Sequence, residues 1–187
     1  MKTKTRGFTL IELIVALTIG GILVALAIPS FQSLLLKYRL NTRSNNFYMA
    51  LNLARSEAVK RNGIVTVCQS SDSASCTTSG GWQQGWIVFY DVNGNGVIDT
   101  PDCMDSTKDC IIRTGAALES GYTLSGATPG GSITYLSFSS SGLNPGAKAA
   151  FNMRHSPDVE DRNICLDISG RAKILKSATS GAAPSCP

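Results

Sequence analysis

Met1-Lys2-Thr3-Lys4-Thr5-Arg6-Gly7-Phe8-Thr9-Leu10-Ile11-Glu12, continuing into an apolar run that ends at Phe31, is the stretch on which the fold turns. Glu12 is the only charge within the run. A carboxylate at the bilayer centre costs roughly 2.5–3.5 kcal/mol or more, so it is tolerated only near the interface or opposite a cation. Residues 8–28 would span about 30 Å as a helix, enough for a hydrocarbon core. Lys2, Lys4 and Arg6 precede that helix and place the leader on the cytoplasmic side, so the remainder is exported. The leader is unlike a secretory signal peptide: its basic segment abuts the Gly7-Phe8 junction and no Ala-x-Ala-like site follows the apolar stretch. Any cut therefore falls before the hydrophobic segment, which then stays in the mature chain.

Gly7-Phe8-Thr9-Leu10-Ile11-Glu12 followed by a membrane-length apolar run resembles the prepilin class of type IV pilins and type II secretion pseudopilins. The resemblance implies that a prepilin peptidase cuts after Gly7 and that the new N-terminus, Phe8, is methylated. It implies that Glu12 pairs with the N-terminal amine of a neighbouring subunit in the growing fibre. A buried carboxylate opposite an ammonium is tolerable where a lone one is not. Pro29 is similar to the helix kink of that class, and Gly20-Gly21 weakens the helix upstream of it. These features are shared by major pilins, minor pilins and pseudopilins alike.

The 187 residues suffice for one membrane helix and one globular domain. Removing the leader takes away three of the four net positive charges, so a basic-protein argument for nucleic-acid binding fails and only local patches can carry one. Six cysteines, all beyond the apolar run, form an even set in an exported domain, which favours disulfides over metal ligation. Of the fifteen pairings, sequence clustering suggests Cys68–Cys76, Cys103–Cys110 and Cys165–Cys186. A zinc site is a poor fit, because there is no Cys-x-x-Cys and His155 is the sole histidine.

Beyond Pro29, Leu36, Leu40, Phe47, Leu51, Ala54 and Ala58 recur at helical steps and form one apolar stripe for a sheet to cover, and Asn62-Gly63 ends the helix with a left-handed cap. Ala54-Arg55-Ser56-Glu57-Ala58, leading into a strand that ends in Cys68, resembles the GspH/FimT family of minor pilins and pseudopilins. Short strands are expected at 64–68, 86–90, 111–114, 122–124, 133–138, 149–153, 163–168 and 173–175, separated by Gly, Ser, Asp and Pro clusters. The expected organisation is a leader at 1–7, a transmembrane and pilus-core helix at 8–31, an amphipathic helix at 32–63 and a β-rich domain at 64–187. The fold class is α+β and type IV pilin-like: a long N-terminal helix packed on an antiparallel β domain.

Two stretches invite a ligand. Asp91, Asn93 and Asn95 occupy positions 1, 3 and 5 of an EF-hand-like calcium pattern, with Gly96 at 6, Asp99 at 9 and Asp102 in place of the usual glutamate at 12. Flanking helices are missing, and a hairpin turn in which Asn-Gly pairs supply positive φ explains the same residues. The resemblance favours the turn, because Trp-x-x-Gly-Trp-x-Val-Phe-x-Asp-x-Asn-Gly recurs in that family. The second stretch is Gly170-Arg171-Ala172-Lys173. FimT-type minor pilins that act in DNA uptake carry Gly-Arg-x-Arg here, and this chain departs from it by one Arg-to-Lys change. Arg171 and Lys173 would share a strand face toward adjacent phosphates, with Lys176 and Arg162 nearby. Lysine neutralises phosphate without the bidentate fork. A solvated turn and an outward-facing strand is the plainer explanation.

Arg154, His155 and Asp158 to Asp161 read as a surface loop, and no nucleophile is nominated beside the histidine: Ser139, Ser140 and Ser141 lack an elbow motif. The chain is therefore expected not to be an enzyme and to need no cofactor. The resemblance implies a single-pass inner-membrane protein with a periplasmic globular domain that reaches the pilus after assembly. Its expected partners are other minor pilins, the major pilin, the assembly platform, the prepilin peptidase and a tip adhesin, with DNA on the uptake reading. Priming or capping the pilus tip is the first expectation. DNA capture and a GspH-like pseudopilin role in type II secretion are the alternatives.

Overall fold

The computed structural model describes Gly7, residues 9–155 and 161–176, and Cys186. The chain divides into two compact units, one through Tyr38 and one from Arg39. In the first unit, helix α1 begins at Leu10 and continues through Pro29, which lacks the N–H that would otherwise bond the Ala25 carbonyl. Apart from Gly20, residues 10–31 are exposed along this helix. It is long and apolar enough to cross a membrane.

In the second unit α1 changes character and runs on to Arg61. Leu40, Ser44, Phe47, Ala50, Leu51, Ala54 and Ala58 form its buried face. Ser44 fits among them because its hydroxyl donates to the Leu40 carbonyl at 2.8 Å. Leu36 lies in the first unit and is only half-buried. The helix closes in a Schellman pattern: Gly63 N–H donates to the Ala58 carbonyl at 3.1 Å and Asn62 N–H to Val59 at 3.3 Å. Asn62 is the left-handed residue, with φ 51°. Gly63 is needed for a different reason, since a Cβ there would lie 2.5 Å from the Tyr90 ring.

Among the described residues, nine strands form two antiparallel sheets. The first contains β1 (Val65–Gln69), β2 (Trp86–Tyr90), β3 (Cys110–Gly115) and β6 (Tyr135–Phe138), in the order β3-β2-β1-β6. The second contains β4 (Thr123–Thr128), β5 (Gly131–Ser132), β7 (Ala149–Arg154), β8 (Arg162–Leu166) and β9 (Ala172–Lys176), in the order β5-β4-β7-β8-β9. Residues 133–138, expected as one strand, instead cross between the sheets. Ile133 N–H donates to Gly126 in the second sheet, and the Thr134 carbonyl accepts from Gln69 in the first. Asp167 and Ile168 belong to a turn rather than to β8, because the Asp167 carboxylate accepts Ile168 N–H at 2.6 Å and its carbonyl accepts Gly170 N–H at 2.9 Å.

Phe47 joins the helix to both sheets through edge-on contacts with Trp86 of β2 and Phe151 of β7, and with Trp82. Trp82 meets its polar requirement by donating from Nε1 to the Ile133 carbonyl at 2.8 Å. A second, smaller core of Cys68, Ile87 and Phe89 is covered by Cys76, Ile98 and Ile111. β1 is buried throughout, its polar Thr66 included, because that hydroxyl bonds Asp91 and Ser137 at 2.8 Å.

Candidate functional site

The start of α1 is built by Thr9 and Glu12. Glu12 N–H donates to Thr9 Oγ1 at 3.3 Å, and Glu12 Oε2 lies 3.5 Å from both the N–H and the hydroxyl of Thr9. This is a capping box, Thr-x-x-Glu, in which each residue satisfies the other's backbone donor. Thr9 was not singled out in the sequence, although the spacing signals it. Gly7 is described and exposed, whereas Phe8 lies outside the described residues.

Two of the stretches that carry the GspH/FimT resemblance, those of Arg55 and Gly170, meet in space. Arg55 Nε donates to the Gly142 carbonyl at 3.0 Å. That carbonyl lies so close to Gly170 that a Cβ there would be 2.0 Å away, and Gly170 has φ 72°. Asn144 N–H donates to the Ile168 carbonyl beside it at 3.0 Å. Gly170 is thus fixed by close approach and backbone conformation together.

The β8–β9 turn sets Arg171 just ahead of the edge strand β9, with Lys173 opposite Cys165. Arg171 and Lys173 are exposed and share one face; they line a shallow recess of about 100 Å³ together with Lys148 and the Cys165–Cys186 bridge. The other two basic residues of that group are elsewhere. Lys176 falls on the opposite face by strand alternation. Arg162 is buried and donates from Nε to Asn41 of α1 at 2.8 Å, because its side of β8 faces the helix.

The residues of the calcium-like pattern bond one another. Asp91 is fully buried and accepts Gly94 N–H at 2.7 Å, Gly96 N–H at 2.9 Å and the Thr66 hydroxyl at 2.8 Å. Asp99 accepts the side-chain amides of Asn93 at 3.0 Å and Asn95 at 2.8 Å, which hold its carboxyl below the ordinary range. Asp102 is engaged by Lys108 at 3.5 Å. Asp109, which no spacing rule nominated, is the second buried staple: it accepts Val92 N–H at 3.0 Å and Asp99 N–H at 2.6 Å. Among the described residues no three His, Cys, Asp or Glu side chains converge as a metal site.

Disulfides join Cys68–Cys76, Cys103–Cys110 and Cys165–Cys186. His155 stacks edge-on with Tyr122 at 4.2 Å, while Ser139 bonds Ser141 and the Leu143 carbonyl, so the two are not brought together. Arg154 pairs with buried Asp161 at 3.5 Å; residues 156–160 of that acidic loop lie outside the described residues.

A family model described as Type II transport protein GspH matches residues 43–170, and the prokaryotic N-terminal methylation motif matches residues 2–28. The prepilin peptidase-dependent protein D of Escherichia coli is 29% identical over 131 residues, covering 62% of this chain and 90% of that protein. The type IV minor pilin FimU of Pseudomonas aeruginosa has a similar fold, with TM-score 0.56 at 17% identity, covering 76% of this chain and 96% of FimU. The minor pseudopilin EpsH of Vibrio cholerae aligns at TM-score 0.47 and 17% identity, over 73% of this chain and 96% of EpsH. A methylation motif leading a long helix, two antiparallel sheets beside it, and a family match over residues 43–170 make this chain a member of the GspH family of minor pilins and pseudopilins, which are structural proteins and not enzymes.

Proposed function

We propose that this chain is a minor pilin of a type IV pilus, held in the inner membrane by α1 and assembled through that helix to prime or cap the pilus tip. The observation that carries this reading is the run of exposed apolar side chains on α1 from Leu10 to Phe31, headed by the Thr9–Glu12 cap. Such a surface is stable only in lipid or against other apolar helices. The similarity to a protein named for its dependence on prepilin peptidase supports cleavage after Gly7 and methylation of Phe8. After cleavage Glu12 would exchange its local cap for the amine of a neighbouring subunit. Its partners are then other minor pilins, the major pilin, the assembly platform and a tip adhesin. Deleting the gene should abolish or shorten pili while secretion of type II substrates continues. Retained pili with blocked secretion would assign the chain to a pseudopilus instead.

A second reading has its own observation. Arg171, just ahead of the edge strand, and Lys173 within it are exposed on one face, a placement suited to contact with successive phosphates of DNA. On this reading the chain captures DNA at the pilus for uptake. A titration of the full chain with double-stranded DNA at low and moderate salt tests it. No binding at low salt would leave the assembly role alone.

A further inference from the structure

The crossing segment leaves an incomplete sheet edge. β6 has β1 on one side and no strand on the other among the described residues. Gln69 N–H donates to the Thr134 carbonyl at 3.0 Å, and the register pairs Val67 with Leu136 and Val65 with Phe138. In an antiparallel ladder hydrogen-bonded pairs alternate, so Leu136 and Phe138 direct their N–H and C=O groups at β1. Tyr135 and Ser137 direct theirs away from it. The unpaired stretch is closed at both ends: Ile133 N–H is taken by Gly126, and Ser139 N–H by Leu143 at 2.9 Å. Tyr135, Ser137 and Ser139 of this edge line a groove of about 620 Å³ together with Asn144, Pro145, Gly146 and Ala147, with no charged residue in its lining. Tyr135 forms part of the groove and is 47% exposed.

We propose that this groove receives a short, uncharged, extended segment of a partner protein, which adds antiparallel to β6 as a fifth strand of the first sheet. The chemistry specifies the occupant. Two N–H and two C=O groups alternating along an edge match the backbone of an extended peptide and do not match a helix, whose backbone groups are already bonded within it. The absence of charge in the lining disfavours an acidic or basic segment, which would be desolvated without a partner. The closed ends limit the added strand to a few residues. The inference goes beyond the choice between pilus and pseudopilus and does not depend on it.

The full chain carrying a photoreactive phenylalanine analogue at Tyr135 tests this in native membranes, with the cross-linked residues mapped by mass spectrometry. The expected adduct lies in one uncharged segment of one partner protein. Ser137→Pro removes an N–H that points away from β1, so the sheet should persist while the adduct falls about tenfold. Ala147→Trp puts a large side chain at an exposed position of the groove lining and should reduce the adduct likewise, which keeps the test decisive if Ser137→Pro fails to fold. Adducts only to lipid, adducts scattered over several proteins, adducts to a helix, or a yield that neither variant changes would overturn the proposal.

Discussion

Gly170 shows how a single atom constrains this chain. Its missing Cβ admits the Gly142 carbonyl, and its φ of 72° is one an alanine adopts only with strain. Gly170→Ala should therefore destabilise the folded chain by about 2–5 kcal/mol, while Gly130→Ala, where φ is ordinary and the nearest atom is 3.7 Å away, should be close to neutral. Urea unfolding of the two variants checks this, and equal midpoints would refute it. The sequence offers Gly170 as part of a basic motif, and the structure gives it a packing role that no local pattern contains. Glu12 stands out in the sequence as a lone carboxylate in an apolar run, and the structure shows it capping α1 with Thr9. On the assembly reading, Glu12→Ala should leave the chain in the membrane yet stop its incorporation into fibres, since the apolar run is unchanged while the acid is lost. Immunoblotting of membrane and sheared-fibre fractions measures both outcomes.

At the scale of elements, strand alternation was readable, but which face a strand turns to the helix was not. Arg162 and Lys176 sit opposite each other across β8 and β9, away from the face of Arg171 and Lys173. Proximity in sequence therefore overstated the basic cluster. On the DNA reading, Arg171→Ala together with Lys173→Ala should weaken double-stranded DNA binding and lower the salt slope by about 0.9 for each lost phosphate contact. Lys176→Ala should change neither. Lys173→Arg should bind equally or more tightly, because it restores the fork. Fluorescence anisotropy across a salt series separates these outcomes. The two-sheet division escaped the sequence because residues 133–138 present one continuous β pattern, and only long-range pairing with Gly126 and Gln69 divides it.

For the whole molecule, acid stability follows from carboxylates held in turns. Asp72 accepts the Ser75 hydroxyl and the N–H groups of Ala74 and Ser75; Asp99 accepts two asparagine amides; Asp105 accepts the hydroxyl and N–H of Thr107. All three are held below the ordinary carboxylate range. A depressed folded-state value stabilises above the unfolded value, near pH 4, and that contribution is lost as pH falls through the lower folded-state values. The thermal midpoint should be flat from about pH 7 to 5 and decline below about 4. We further propose that the 91–110 loop is closed by its own donors, so about 1 mM calcium should leave that midpoint unmoved; a rise of several degrees would show that a cation binds.

The three disulfides span 8, 7 and 21 residues, and none ties α1 to a strand or one sheet to the other. Short loops close at small entropic cost, so each thiol meets its native partner more often than any other, even in the disordered chain. Oxidation can then run ahead of tertiary folding with few mispairings to undo, and the helix and both sheets remain free to dock around Phe47 afterwards. A newly made chain, once in an oxidising compartment, would be covalently complete before its core is assembled.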